Sequence, residues 1–516
     1  MNREQRQMDT TLVQALRESL QRETGARVEL VETHISWVLL TATLAYKLKK
    51  PVRFPFVDFA SIAARKHFCE EELRLNRRFA PSLYLDVVPV CGAREAPRLG
   101  GGGVPIDHVV RMRRFPESSL LRNLLTAGRL EPASLDAFAR RLAALQGAAE
   151  RVVPPSAFGA PDAIVRAAID VVNQLLVQRS DSRLATLAAW IRERAQALHM
   201  AWIARQQGGA VRECHGDLHM ANVVLVDGEL TAFDCIEFDP MMRRIDVMSD
   251  IAFLTMDLKA HGRPDLAFRF LDAWLQHSGD HAGLQVLGFY EVYRALVRAM
   301  AAGLGPQAAP APAGASKPDY LACAAQLAHS PRGRARLLIT HGFSGSGKST
   351  IASQLLCAAG AVRIRSDVER KRLFGLDPLA RSAERGLAIY GAEATRRTFE
   401  RLRACARDAL LAGYPVIVDA AFLRGAERRS FQGLAAELDL PFAILDCRAG
   451  EAVLRRRVAG RNALGMDASE AGLEVLERQL AAHEPLAPDE RALAIEVFTE
   501  DAVDIASLEA RWRAQT

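Results

Sequence analysis

Apolar residues follow two different periodicities along the last third of the chain. Short, mainly apolar, strand-like runs are separated by longer stretches in which apolar residues recur every three or four positions. The strand-like runs are residues 337–340, 361–364, 416–418 and 443–445. Because strands that alternate with helices form parallel sheets, this pattern predicts an α/β domain with a parallel sheet.

The first 300 or so residues have a different pattern. Residues 11–100 combine a short helical pattern, two strand-like runs and a long helical pattern. Residues 118–210 carry Leu, Ala and Val mainly at three- and four-residue spacing, which predicts helices. We therefore expect a small mixed lobe over about residues 25–110 and a helical lobe over about residues 111–302. No internal repeat of fixed period is visible in the sequence.

A stretch rich in proline, alanine and glycine, residues 303–317, separates the two patterns. Proline stiffens this stretch and its small side chains cannot build a core, so we interpret it as an interdomain linker. The expected domains are residues 1–302 and 318–516. A chain of 516 residues exceeds what one hydrophobic core usually serves, which agrees with this division.

Composition narrows the class of protein further. Hydrophobic residues make up 49% and charged residues 25% of the chain, as in globular proteins and unlike disordered ones. The net charge of +6 suits anionic nucleotides without requiring nucleic acid, which stays an open alternative. Residues 1–10 are polar and no long apolar segment follows, which predicts neither signal peptide nor membrane span. Together with eight widely spaced cysteines, this predicts a cytoplasmic protein with reduced thiols.

A glycine-rich loop, residues 342–350, follows the first of the four strand-like runs. Its spacing, Gly-x-x-x-x-Gly-Lys-Ser, is that of a Walker A loop, whose glycines let backbone N–H groups surround phosphate oxygens. Lys348 offsets charge on the outer phosphates and is a candidate catalytic residue, and the Ser349 hydroxyl can hold Mg²⁺. We therefore predict that this domain binds ATP and Mg²⁺. The predicted nucleotide-binding residues are Gly342, Ser344, Gly345, Ser346, Gly347, Lys348, Ser349 and Thr350.

Two carboxylates follow later strand-like runs of the same domain. Asp367 comes after residues 361–364, where many P-loop kinases keep an acid that takes a proton from the attacking hydroxyl. Residues 366–369 also fit a capping box with Ser366 as N-cap, so a purely structural role for Asp367 stays open. Asp419 directly follows the run 416–418, either as a Walker B ligand of Mg²⁺ or as a plain acid in a turn.

Arginines are concentrated on a predicted helix after the last strand-like run. Arg457 and Arg461 are one helical turn apart and can close over a transferring phosphoryl group, although a solvated face explains them equally well. The region of about residues 335–500 resembles the P-loop kinases of small molecules and of polynucleotide ends. The resemblance implies phosphoryl transfer from ATP and leaves the acceptor open.

A second set of candidate catalytic residues lies upstream, in His-Gly-Asp-Leu-His-Met-Ala-Asn at residues 215–222. Asp217 precedes Asn222 by five positions, the spacing of a kinase catalytic loop in which the Asp accepts a hydroxyl proton and the Asn binds metal. Asp-Gly at residues 227–228 favours a two-residue hairpin turn that pairs residue 222 with residue 233. Asp234 then lies next to Asn222, and both can contact one Mg²⁺.

His-Gly-Asp-x-x-x-x-Asn followed by Phe-Asp at residues 233–234 resembles the aminoglycoside phosphotransferase family, which has the bilobal protein-kinase-like α+β fold. The resemblance implies that Asp217 is the base and that Asn222 and Asp234 are the metal ligands. It also implies that Asp246 and Asp250 brace the catalytic loop, and we interpret both as structural.

The same resemblance implies a lysine that binds the α- and β-phosphates from a strand of the small lobe, together with a partner glutamate on the next helix. Lys47 is the candidate lysine, and Lys49 points the same way and is the reserve. Glu72 is the expected partner because it lies within an apolar helical stripe. A glycine-rich phosphate cover is absent, since only residues 41–43 separate the two expected strands.

The sequence thus predicts an ATP- and Mg²⁺-dependent phosphotransferase with two modules that transfer γ-phosphoryl groups to hydroxyl groups of small molecules. In the alternative, only the P-loop module is catalytic, as a small-molecule or polynucleotide-end kinase or an ATPase. The N-terminal module is then a regulatory pseudokinase.

Overall fold

A computed structural model describes residues 3–54, 57–304, 318–329, 335–382, 387, 389–464 and 468–515. Nearly all of the predicted linker, residues 303–317, lies outside these ranges. The chain forms two compact units, the first from Met1–Asp257 and Tyr293–Leu321 and the second from Leu258–Val292 and Ala322–Thr516. Residues 258–292 therefore precede the predicted linker and belong to the second unit.

The elements before the predicted linker are, in order, α1 (Arg3–Thr24), β1 (Glu29–Glu32), β2 (Ser36–Leu40), β3 (Leu44–Lys49), β4 (Arg53–Phe54), β5 (Val57–Asp58), α2 (Ile62–Phe79), β6 (Tyr84–Ala93), β7 (Ala96–Leu99), β8 (Pro105–Arg113), α3 (Leu121–Thr126), α4 (Pro132–Ala148), α5 (Pro161–Gln178), α6 (Ser182–Gln207), β9 (Val211–Glu213), β10 (Val223–Val226), β11 (Glu229–Ala232), α7 (Pro240–Arg243), β12 (Arg244–Asp246), α8 (Val247–Ala260), α9 (Pro264–Ser278) and α10 (Leu284–Leu304).

The elements after the predicted linker are α11 (Tyr320–Ala328), β13 (Leu337–His341), α12 (Lys348–Ala359), β14 (Val362–Arg365), α13 (Ser366–Leu373), α14 (Ala392–Leu411), β15 (Val416–Asp419), α15 (Gly425–Glu437), β16 (Phe442–Arg448), α16 (Glu451–Leu464), α17 (Leu473–Ala482), α18 (Pro488–Ala492), β17 (Ala494–Phe498) and α19 (Ile505–Ala514).

The first unit contains a six-stranded antiparallel sheet in the order β1-β2-β3-β8-β6-β7. Side chains alternate between its two faces along β3, as the pleat requires. Tyr46 and Leu48 join the apolar cluster that includes side chains of α1, whereas Ala45 joins the cluster that includes side chains of α2. Lys47 and Lys49 share the face of Ala45, and this places both lysines on the side of helix α2.

Helices α3 to α6 cover most of residues 121–207, as the helical pattern predicts. The following hairpin pairs β10 with β11 in the predicted register, with Val226 opposite Glu229. Asp227 and Gly228 both have positive φ, 52° and 83°, as a two-residue type I′ turn requires.

The second unit contains a five-stranded parallel sheet in the order β14-β15-β13-β16-β17. The inner strands β13, β15 and β16 are buried along nearly their whole length, as in a sheet covered by helices on both faces. The sequence missed the edge strand β17, in which buried and exposed side chains alternate. The carboxyl ends of parallel strands meet at one edge of a sheet, so the segments after β13, β14 and β15 lie together. The predicted fold, kinase-like α+β followed by α/β with a parallel sheet, is confirmed.

No helix in the described ranges has both the length and the apolar character that crossing a membrane requires.

Candidate active sites

The glycines of the loop after β13 are required by its backbone conformation. Gly342, Gly345 and Gly347 have φ of 139°, 84° and 82°, a region that side chains disfavour. A Cβ at Gly342 would lie 2.5 Å from the Cys447 carbonyl oxygen, and a Cβ at Gly345 would lie 2.8 Å from the carbonyl oxygen of Leu454. The loop then runs into the N-terminus of α12, where backbone N–H groups and the helix dipole favour an anion.

Lys348 and Ser349 begin helix α12 at this loop. Burial lowers the pKa of Lys348, and its Nζ donates to the Phe343 carbonyl oxygen at 2.6 Å. An anionic ligand beside Nζ would favour the charged form of the lysine. The predicted residues Ser344, Gly345, Gly347, Thr350 and Asp419 line the same cavity of about 470 Å³, together with Lys348 and Ser349.

Asp419 ends β15 beside the loop. Its Oδ1 accepts a hydrogen bond from Ser349 Oγ at 3.1 Å. Its Oδ2 is buried and has no hydrogen-bond partner in the described part of the chain. The same oxygen lies 3.8 Å from Arg363 and 3.6 Å from Arg365 Nε. A carboxylate oxygen without a hydrogen bond next to a serine hydroxyl is a donor set that suits Mg²⁺, so these two residues fit the ion.

Asp367 lies in the first turn of α13 and lines the same cavity. The predicted capping box is wrong, because the N-cap is Arg365, without a side-chain cap bond, and Ser366 is the first helical residue. The Glu369 carboxylate does not reach back to the helix start. It accepts hydrogen bonds from Arg372 and Arg401, at 3.2 and 3.0 Å.

Arg457 and Arg461 also line the cavity, and both are only partly exposed. Arg457 donates to the Gly345 carbonyl oxygen at 3.3 Å and to that of Thr499 at 2.6 Å. Arg461 donates to the Ala471 carbonyl oxygen at 2.9 Å. Arg455, in contrast, is exposed and pairs with surface glutamates. The two candidate arginines thus lie against the glycine-rich loop and the cavity wall.

In the first unit, β3 and α2 bring Lys47 and Glu72 together at 2.8 Å. Lys47 also contacts Asp234 Oδ1 at 2.5 Å, and Lys49 contacts Glu72 Oε2 at 2.7 Å and Glu237. Burial disfavours the Glu72 charge, yet the two lysines outweigh it and lower the pKa of Glu72 to about 2. The sequence did not reveal Glu237, although its position three residues after Asp234 offered a signal.

The catalytic-loop candidates lie beside this charge cluster. Asn222 Nδ2 donates to the backbone oxygen and to Oδ2 of Asp217, both at 3.0 Å. Burial opposes ionisation of Asp217, but His219, Arg298 and His215 more than offset it and hold its pKa below the ordinary value. Asp217 is therefore ionised at neutral pH, as a proton acceptor must be.

Buried aspartates support the catalytic loop from behind. Asp250 accepts hydrogen bonds from the backbone N–H groups of His215 and Gly216, at 3.2 and 2.9 Å. Asp246 pairs with both Nε and one terminal nitrogen of Arg205, and it caps α8 through the Met248 N–H. These contacts agree with the structural interpretation of both residues.

Asn222 and Asp234 meet at the open end of the hairpin. The Phe233 N–H donates to the Asn222 carbonyl oxygen at 3.0 Å, as the predicted register requires. Asp234 has φ 63°, its N–H donates to the Tyr84 hydroxyl, and its carboxylate is half-exposed. The Asn222 Nδ2 group is used by Asp217, which leaves the amide oxygen. Amide and carboxylate oxygens fit Mg²⁺ here as well.

His281, Glu369 and Cys405 form a separate buried group whose potential ligand atoms lie within 4.8 Å of one another. Both Glu369 oxygens already accept hydrogen bonds from guanidinium groups. Neither Glu369 oxygen is therefore left without a hydrogen bond for a divalent cation to use. We interpret this group as an ion-pair network and not as a metal site.

Comparisons with known proteins match two separate segments of the chain. The Phosphotransferase enzyme family matches residues 45–287, and an AAA domain family matches residues 337–486. The uncharacterized protein Rv2004c of Mycobacterium tuberculosis is 30% identical over 449 residues, which cover 86% of this chain and 88% of that protein. The uncharacterized protein Mb2027c of Mycobacterium bovis has the same identity and coverage. The chain belongs to this two-module family. In this chain, the aminoglycoside phosphotransferase-like module precedes the P-loop kinase-like module, and both are of kinase type.

Two solved structures are each similar to a part of this chain. A gluconokinase from Sinorhizobium meliloti 1021 is 20% identical, with TM-score 0.26, and the match covers 35% of this chain and 90% of the gluconokinase. A choline/ethanolamine kinase family protein from Mesorhizobium loti is 14% identical, with TM-score 0.34, and the match covers 56% of this chain and 84% of that protein.

Proposed function

We propose that the protein is an ATP- and Mg²⁺-dependent phosphotransferase with two active sites, each of which transfers the γ-phosphoryl group to a hydroxyl group of a small molecule. One observation carries the proposal. Each unit gathers a lysine for phosphates, a carboxylate for the hydroxyl proton and oxygen ligands for Mg²⁺ in one cluster of side chains. Kinase chemistry consists mostly of such positioning and charge stabilisation.

In the second unit, the backbone N–H groups of residues 342–347 and the Lys348 ammonium bind the phosphates of ATP. Asp367 accepts the proton of the acceptor hydroxyl as the new O–P bond forms. Arg457 and Arg461 offset negative charge on the transferring group. Ser349 and Asp419 would hold Mg²⁺, which neutralises charge between the outer phosphates when bound.

In the first unit, Lys47 binds the α- and β-phosphates and is held in place by Glu72. Asp217 accepts the proton of the acceptor hydroxyl, and the Asn222 amide fixes the orientation of that carboxylate. Asn222 and Asp234 would hold the metal. The contact between Lys47 and Asp234 keeps the lysine and one metal ligand within reach of the same phosphates.

The cavity of the second unit favours an acceptor that carries an anionic group. Arg370 lines it one helical turn after Asp367 and is 7% exposed. Its terminal nitrogen donates to Ile389 O and Thr395 Oγ1, whereas its Nε has no hydrogen-bond partner among the described residues. Burial lowers the pKa of Arg370. A carboxylate or phosphate on the acceptor would add a counter-charge to those of Asp367 and Glu427, which also act on Arg370.

Single-site variants of the full chain test the two-site proposal. Asp217→Asn keeps the shape of the side chain and removes the base, and Lys348→Met removes the phosphate-binding charge. ADP release is measured for wild type, each variant and the double variant across a panel of hydroxyl metabolites, with mass spectrometry of the products. We expect each single variant to lose a different activity and the double variant to lose both.

The opposing outcomes are specific. If Asp217→Asn changes no phosphoryl transfer while Lys348→Met abolishes all of it, the first unit is not catalytic and the pseudokinase alternative holds. If oligonucleotide ends are phosphorylated and no small molecule is, the acceptor class is wrong.

A further inference from the structure

Arginines of the second unit converge on the C-terminal end of helix α9. Arg372 donates to the backbone oxygens of Gln276 and His277, at 2.6 and 2.9 Å, and Arg401 donates to that of Gly279 at 3.2 Å. The last carbonyl groups of a helix have no partner within the helix, and its C-terminus carries partial negative charge. Guanidinium groups therefore satisfy these carbonyls and fasten α13, which carries Asp367, to α9.

A buried ion pair lies one turn earlier on the same helix. Asp272 Oδ2 accepts a hydrogen bond from Arg363 at 2.8 Å, and the two side chains are 8% and 7% exposed. Another nitrogen of the same guanidinium donates to the Ser349 backbone oxygen at 3.1 Å and lies 3.8 Å from Asp419 Oδ2. One rigid, planar group thus connects Asp272 to the two residues that fit Mg²⁺.

We propose that Asp272 is a positioning residue of the P-loop site, acting through Arg363 on Ser349 and Asp419; this rests on the proposed nucleotide role of that site. Asp272 neutralises the charge of Arg363 and fixes the orientation of its guanidinium group. Asp419 Oδ2 lies 3.8 Å from this guanidinium and 3.6 Å from Arg365 Nε. Without Asp272, Asp419 is the remaining carboxylate within 4 Å of Arg363 among the described residues. An ion pair between Arg363 and Asp419 would then compete with Mg²⁺ for the same oxygen.

The contact between Asp272 and Arg363 joins two segments of the chain that match different families. Asp272 lies within residues 45–287, which match the Phosphotransferase enzyme family, and outside residues 337–486, which match the AAA domain. The P-loop site thus depends on a side chain from the segment that sequence comparison assigns to the other module. A break of the chain at the predicted linker would separate Asp272 from the site that it positions.

The test is the Mg²⁺ dependence of ATP binding to the full chain, measured by calorimetry at a series of Mg²⁺ concentrations and in EDTA. All variants carry Lys47→Met, so that binding reports the P-loop site. Asp272→Asn should raise the Mg²⁺ concentration at half-maximal effect by about tenfold, the usual size for a residue that orients a metal ligand, and leave binding in EDTA within about twofold. Asp265→Asn is the matched control, since Asp265 is on the same helix in a half-exposed pair with Arg263.

The mechanism predicts a specific coupling. In an Arg363→Met background, which removes the charge of Arg363 and keeps that of Arg365, Asp272→Asn should change the Mg²⁺ midpoint by less than about twofold. An unchanged midpoint in folded Asp272→Asn, or an equal shift with and without Arg363, overturns the proposal. If Asp272→Asn does not fold, Arg363→Lys replaces it, because one ammonium cannot span both partners, and an unchanged midpoint there is equally decisive.

Failure of the underlying function gives a different result. The Lys47→Met parent would then bind no ATP at any Mg²⁺ concentration, or the further change Lys348→Met would leave its binding unaltered. Neither outcome depends on Asp272.

Discussion

Tyr320 follows the predicted linker in sequence, but it belongs to the first unit and is linked there through Asp257 to the candidate catalytic loop. Its hydroxyl donates to Asp257 Oδ1 at 2.7 Å, and Asp257 Oδ2 accepts the backbone N–H of Met220 at 2.9 Å. Both side chains are buried, with 8% and 2% exposure. Because Met220 lies between Asp217 and Asn222, removal of the Tyr320 hydroxyl should loosen the loop that carries both candidate catalytic residues.

The size of the effect follows from these contacts. A hydrogen bond to a buried carboxylate contributes about 1.5–3 kcal/mol, so Tyr320→Phe should lower the free energy of unfolding of the first unit by about 2 kcal/mol. If about 1.4 kcal/mol of this loss also raises the activation free energy at the first site, kcat/KM of that site falls about tenfold.

Two measurements check this expectation in the full chain. Hydrogen exchange of the Met220 amide reports local opening, and acceptor phosphorylation in a Lys348→Met background reports the first site. Tyr293→Phe is the control, because the Tyr293 ring contacts Arg294 and its hydroxyl has no hydrogen bond among the described residues. If exchange at Met220 and first-site activity in Tyr320→Phe equal those of the control, the link from Tyr320 to the loop is refuted.

Three further predictions use other contacts. Burial disfavours the Glu213 charge, but Arg74, Arg78 and Arg243 lower its pKa from 4.5 to about 2. Glu213→Gln should therefore remove about 3 kcal/mol of stability that is complete above pH 4.5 and lost as pH falls towards 2, so its urea midpoint should approach that of wild type in acid. Arg370→Met should raise KM for anionic acceptors of the second site at least about tenfold and leave neutral acceptors unaffected, by steady-state kinetics. Gly345→Ala should abolish ATP binding to the P-loop in calorimetry, whereas Gly413→Ala, also at positive φ but with open space around it, should retain binding.

The sequence could predict those candidate site residues that lie together in contiguous motifs. The loop of residues 342–350 and the segment of residues 215–222 each carry several functional groups on neighbouring positions, so spacing alone indicates the chemistry. The hairpin register around Asp227 was predictable because two residues with positive φ allow one turn type. The strand period also placed Lys47 and Lys49 on one face, but it could not choose between them. Both contact Glu72, and Lys47 additionally reaches Asp234.

Side chains whose role depends on distant partners could not be found in this way. Glu237 is one acid among several near Asp234, and its significance comes from its contact with Lys49, which is 188 residues away. The capping-box pattern at residues 366–369 misled for the same reason. The Glu369 carboxylate accepts hydrogen bonds from Arg372 and Arg401. These bonds take the place of the hydrogen bond to the helix start that the capping-box pattern predicts.

The predicted linker shows the same limit at the level of domains. Proline and small residues mark a stretch that builds no core, but they carry no information about which core the neighbouring elements join. Asp272 lies well before residues 303–317 and pairs with Arg363, 91 residues further along the chain, whereas Tyr320 lies after them and pairs with Asp257. In each case a buried carboxylate has its counter-group on the far side of the linker. Because an uncompensated buried charge costs several kcal/mol, each of these pairs favours keeping its two segments in one unit, which the composition of the linker does not reveal.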